Sequence, residues 1–105
     1  MVQGNIDART LREMLESGER VTVVDVRKGK EYAEGSIPGS ANFDAYTALN
    51  ASDGRAMEGL RLPEDTLVVT VCNRGRAGAA AAEQLRRRGH DAVHLEGGLE
   101  AWRGL

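Results

Sequence analysis

Two short runs constrain this chain most. Val21-Thr22-Val23-Val24-Asp25-Val26-Arg27 and Thr66-Leu67-Val68-Val69-Thr70-Val71 are rich in β-branched residues and carry no alternation of apolar and polar positions. Strands of that kind need cover on both faces, the condition of a parallel sheet between two helical layers. The second run ends in Cys72, the only cysteine of the 105 residues. Asn73-Arg74-Gly75-Arg76-Ala77-Gly78 follows, and then an alanine-rich stretch that reads as a helix to about Arg88, with Gly89 as its stop. A lone thiol thus stands between the end of a buried strand and the start of a helix. Helix N-terminal N–H groups and nearby cations favour an anion there, and cysteines so placed have pKa values lowered from ~8.5 to roughly 3.5–7.5. Cys72 is therefore read as a catalytic nucleophile. A buried structural thiol is the blander reading, and the polar, glycine-containing loop weighs against it.

The remaining elements alternate around these two strands. Asp7 caps a helix to about Glu16, with Leu11, Met14 and Leu15 at helical spacing and Gly18 as its stop. Lys28 to Gly35 reads as a short helical turn. Ala41-Asn42-Phe43 reads as a very short strand, and Asp44 as the cap of a small helix through Leu49. Ala56 to Leu62 reads as one more helical turn. Ala92 to Leu95 is a further strand, and Gly97-Gly98 opens a last short helix anchored by Trp102. Strands alternating with helices mean an α/β fold, and ligands of open parallel sheets bind outside the carboxyl ends of the strands, where Cys72 stands. The pocket rim is expected between Asp44 and Leu62.

A chain of this length is expected to form a single domain, residues 1–105. The formal net charge of −2 gives no nucleic-acid footprint. One cysteine excludes an internal disulfide and any mechanism that needs an internal resolving thiol. No stretch approaches the ~20 apolar residues of a membrane span. The first residues lack the basic-then-apolar pattern of a signal peptide, so a cytoplasmic monomer away from membranes is the expectation. His90 and His94 do not have the spacing of a metal site. Arg86-Arg87-Arg88 falls in the last turn of its helix and is read as a solvated face that complements the dipole. Asp25 and Arg27 are read as a structural ion pair near the site, with a direct catalytic role for Asp25 as the other reading. At least one of Arg74 and Arg76 is assigned to anion binding.

Three segments carry a family resemblance. Val23-Val24-Asp25-Val26-Arg27 with Glu31-Tyr32 and Gly35-Ser36-Ile37-Pro38-Gly39-Ser40-Ala41-Asn42 resembles a signature ending G-H-I-P-G-A-x-N, with Ser36 in place of the usual His. The Cys72 loop is the second, and Gly97-Gly98 with Trp102 is similar to a closing G-G-x-x-x-W. Together they are similar to the rhodanese-like sulfurtransferases. The resemblance implies a central parallel sheet of about five strands with helices on both faces. It implies a Cys72 persulfide formed from a small-molecule donor such as thiosulfate and passed to cyanide, a thiol or a protein acceptor. Backbone N–H groups of Asn73, Arg74, Gly75, Arg76 and Ala77 would cradle the sulfur, with no metal or organic cofactor. The family loop reads C-x-x-G-x-R-S, so Ala77 stands where the arginine is usual. Either Arg76 takes its role in a loop one residue shorter, or Arg74 or Arg76 serves from elsewhere.

Two alternatives compete. A regulatory or partner-binding domain of the same family usually lacks the cysteine. Cysteine-dependent phosphatases and arsenate reductases built like them carry C-x5-R, and here Gly78 holds that position and Val71 precedes the cysteine.

Overall fold

The structure, a computed structural model, describes residues 4–105. Residues 1–3, the start of the stretch read for a leader, lie outside the described residues. Five parallel strands form one sheet in the order β1-β5-β4-β2-β3: β1 Asn5–Ile6, β2 Val21–Asp25, β3 Ala41–Asn42, β4 Leu67–Val71 and β5 Ala92–Leu95. The helices are α1 Ala8–Glu16, α2 Gly29–Glu34, α3 Tyr46–Asn50, α4 Arg76–Arg87 and α5 Gly98–Arg103. The two apolar runs pair with each other in the middle of the sheet, Val21 opposite Leu67 through Asp25 opposite Val71.

Alternate residues of these strands feed two cores. Val24, Val68 and Ala92 pack with Ala77, Ala81, Ala82 and Leu85 of α4 and Leu49 of α3. Val23, Val69, Val71, Val93 and Leu95 pack on the other face with Ala8 and Leu11 of α1 and Leu99 of α5. The alanines of α4 let it lie close on the sheet: Thr70 Oγ1 donates to the Gly78 carbonyl at 2.6 Å. Asp7 caps α1 by accepting from the Thr10 N–H at 2.7 Å, which holds its carboxyl below the usual carboxylate range.

Several local expectations are corrected. β1 has no sequence signal, since two residues show no periodicity; it is an edge strand paired only with β5. Asp44 does not cap α3. Its carboxylate instead accepts from the Gly29 N–H at 3.1 Å, tying the α3 approach to the start of α2. Residues 56–62 form no helix: turns closed by i to i+3 hydrogen bonds run to Leu60, residues 61–62 have no regular structure, and side chains at the end of α4 hold the segment by its backbone. Arg88 donates to the Met57 and Leu60 carbonyls, and Gln84 clasps the Met57 N–H and the Asp53 carbonyl. Arg86 likewise donates to the Ala92 carbonyl. All three arginines are exposed, as expected of a solvated face, but Arg86 and Arg88 also clamp backbone carbonyls, whereas Arg87 pairs with Glu83. Leu99, fully buried, is the main anchor of α5, and the half-buried Trp102 flanks it.

Met57, with no exposed surface, plugs the irregular 53–62 segment into the α4 core. Met57→Ala is expected to cost about 2–5 kcal/mol, the range for removing a buried Met side chain. Urea unfolding with an unchanged m-value is the check.

Candidate active site

β4 carries Cys72 out of its carboxyl end, and α4 begins four residues later. The chain reverses in that interval through Gly75, whose φ of +108° suits glycine. A Cβ there would also stand 3.3 Å from the Gly97 nitrogen. This turn brings the Gly75 N–H to the Cys72 Sγ at 3.0 Å. The sulfur belongs to a residue only 3% exposed that lines an open cavity of about 550 Å³. α4 starts at its rim, and the N–H groups of a helix's first turn have no partner within the helix. The site therefore offers backbone donors and the positive end of a helix to a sulfur anion.

The sequence-assigned residues divide around this sulfur. Asn73, Arg74, Arg76 and Ala77 all border the cavity. The Asn73 amide donates to Glu31 Oε2 at 3.0 Å, linking the loop to α2. Arg74 pairs with Glu100 of α5 at 3.3 Å, both largely exposed. Arg76 opens α4, and its side chain makes no hydrogen bond or ion pair among the described residues. Ala77 is buried and forms part of the cavity wall. Asp25 and Arg27 do not border the cavity. Arg27 donates to both Asp25 carboxylate oxygens at 2.8–3.1 Å and to the Gly35 carbonyl at 2.7 Å. The Asp25 carboxylate, together with smaller attractions from Glu31 and Cys72, holds the Arg27 guanidinium above its ordinary range. Asn42 bridges the Asp25 and Arg27 carbonyls, so the pair sets the β2 end against β3 and α2.

Three wall residues had no assignment from sequence. Tyr46 and Asn50 come from α3, within the stretch expected to form the rim, and the Lys28 ammonium lies 5.9 Å from the Tyr46 ring centre. Glu100 reaches the cavity because α5 is docked on the cysteine loop. The Leu99 N–H donates to the Cys72 carbonyl at 2.7 Å and the Glu100 N–H to the Asn73 carbonyl at 3.0 Å. Gly97-Gly98 makes this docking possible. Gly98 has φ +60°, and a Cβ on it would stand 2.5–2.6 Å from backbone atoms of Cys72 and Asn73.

Gly78 bears on the phosphatase alternative. A Cβ at this position would lie 3.3 Å from the Thr70 carbonyl oxygen and 3.6 Å from Cys72 Sγ. The sixth residue after the cysteine is pressed onto the strand end, and an arginine side chain would have to start in that contact.

The rhodanese-like domain model matches residues 7–105. The chain belongs to the rhodanese-like domain family. The resemblance and the five-stranded α/β fold expected from the sequence are both borne out. The probable adenylyltransferase/sulfurtransferase MoeZ of Mycobacterium tuberculosis is 36% identical over 92% of this rhodanese-like chain, which spans only 24% of MoeZ. The thiosulfate sulfurtransferase GlpE of Pseudomonas paraeruginosa is 34% identical over 90% of this chain and 78% of its own. The crystal structure of a rhodanese-related protein from Thermoplasma volcanium superposes with a TM-score of 0.75, 30% identity and coverage of 95% and 90% of the two chains.

Gly98→Ala is expected to displace the Cys72–Asn73 backbone. It should lower stability by at least about 1 kcal/mol and change the rate of Cys72 alkylation by iodoacetamide several-fold. Gly104→Ala, at φ −83° with its nearest neighbours at 3.5 Å, should change neither.

Proposed function

We propose that this rhodanese-like chain is a sulfurtransferase working through a Cys72 persulfide, with thiosulfate as a competent donor. The observation that carries the reading is the buried Cys72 lining an open cavity, with its sulfur held against the Gly75 N–H. The names of the GlpE and MoeZ relatives support the activity class.

The steps balance without a cofactor. The Cys72 thiolate attacks the outer sulfur of thiosulfate, a sulfur–sulfur bond forms, and sulfite leaves with the electron pair of the bond that breaks. The persulfide carries one negative charge, stabilised by the backbone N–H groups of residues 73–77 and the start of α4. A nucleophilic acceptor such as cyanide or a thiol then attacks the outer persulfide sulfur and returns the Cys72 thiolate. One cysteine suffices for this two-step scheme. Arg76, opening α4 at the cavity, is assigned to the oxyanions of the donor.

A second reading is a relay domain that serves a protein acceptor. It is favoured by the MoeZ relative, of which this chain matches only about a quarter.

Intact mass after incubation with thiosulfate is expected to rise by one sulfur atom. Cyanide should remove it, and Cys72→Ser should not acquire it. No adduct with thiosulfate or an organic persulfide would overturn the proposal. Arg76→Ala should raise the thiosulfate KM roughly 10-fold or more, the worth of a charged hydrogen bond. Arg87→Ala, on the far turn of α4, should change it less than about two-fold in the same cyanide assay.

A further inference from the structure

Resting on the sulfurtransferase reading, we propose that Glu100 is a specificity-determining residue that disfavours doubly charged donors. The cavity mouth has two arginines and one carboxylate, but these do not act independently. Glu100 holds Arg74 in an ion pair at 3.3 Å, which leaves Arg76 as the cation of the wall with no partner among the described residues. A donor entering toward Cys72 therefore meets one free guanidinium and one carboxylate. A dianion gains from Arg76 but is repelled by Glu100, and Arg74 meets it with its charge already paired to Glu100 through Nε.

The magnitude suits discrimination rather than a block. Arg74 and Glu100 are 86% and 73% exposed, and an exposed ion pair is worth about 0–1 kcal/mol. Such a pair yields to a bound anion and shifts donor use by at most about 5-fold. The position of Glu100 is also fixed independently of its charge. Its N–H donates to the Asn73 carbonyl and α5 is docked on the cysteine loop. Replacing the carboxylate with an amide keeps the backbone and the loop and removes only the charge.

The test compares two donors of similar shape. Methanethiosulfonate is thiosulfate with a methyl group in place of one charged oxygen. It delivers its outer sulfur to the Cys72 thiolate and releases methanesulfinate, and it carries one charge instead of two. In steady-state assays with cyanide as acceptor, Glu100→Gln is expected to raise kcat/KM about 3- to 5-fold for thiosulfate. The rise for methanethiosulfonate should be about two-fold or less, with kcat unchanged for both. The difference should disappear between about 0.01 M and about 1 M salt, as the screening length falls from ~30 Å to ~3 Å. Arg74→Ala should cost more thiosulfate use in the Glu100→Gln background than in the wild type, because the amide frees Arg74. Glu83→Gln, which breaks the exposed ion pair with Arg87 on α4, should leave donor preference unchanged.

Equal gains for the two donors, or none, would overturn the proposal, and so would an Arg74→Ala effect that ignores residue 100. Persulfide formation on Cys72 with an unaltered donor preference would refute the role of Glu100 alone. Wild-type protein that takes sulfur from neither donor would remove the sulfurtransferase reading and this inference with it.

Discussion

Gly98 meets the backbone of Cys72 and Asn73 with no space for a methyl group between them. This contact does more than pack a helix. Through it the first N–H groups of α5 satisfy the Cys72 and Asn73 carbonyls. With those carbonyls turned toward α5, the loop is free to present N–H groups to the sulfur, as Gly75 does at 3.0 Å. A loop at the end of a strand would otherwise leave both kinds of polar group to water. The closing helix thus sets the polarity of the cysteine loop, although it lies at the far end of the chain.

The other side of the site rests on a buried charge pair. Asp25 and Arg27 are 1% and 2% exposed, and a pair so buried is stable only when its remaining hydrogen-bonding capacity is met. Here the Gly35 carbonyl and the Arg27 N–H supply the extra partners. The turn through Gly35 and the end of β2 are consequently held in one geometry. α2 is carried with them, and its Glu31 receives the Asn73 amide. Two supports therefore converge on the cysteine loop, α5 through backbone contacts and α2 through a side chain. Each sheet face has its own apolar core beneath.

Much of this was legible because it is local. A both-face apolar run, an alanine-rich helix and a lone cysteine between them are features of consecutive residues. They placed β2, β4, α4 and Cys72 without reference to the rest of the chain. What escaped depends on partners far away in sequence. β1 is a strand only because β5 runs beside it. Residues 56–62 are held by Gln84, which accepts from the Met57 N–H, and by Arg88, which donates to the Met57 and Leu60 carbonyls. Asp44 has the composition of a cap, yet its carboxylate accepts from the Gly29 N–H, far away in sequence, and α3 has no side-chain cap. Glu100 carries no local signal, since a glutamate on a short surface helix has the composition of a solvated residue. Only the docking of α5 shows that this residue faces the cavity.

The position of Ala77 then acquires a physical meaning. It is a buried wall residue, whereas Arg74 and Arg76 both border the cavity from exposed positions on either side of Gly75. Cationic charge at this cavity is carried by exposed side chains, and the hydrogen-bond donor held against the sulfur is the Gly75 backbone N–H. Backbone N–H groups are neutral and rigidly placed, so on the proposed mechanism they stabilise the persulfide equally whatever donor supplied it. On the same mechanism, guanidinium groups at the cavity would meet the donor before the sulfur–sulfur bond breaks and the departing anion afterwards. The two tasks are thus divided between different parts of the site. On the proposed mechanism, the loop geometry governs whether sulfur can be held on Cys72, and the proposed balance of Arg74, Arg76 and Glu100 governs which anion brings it there.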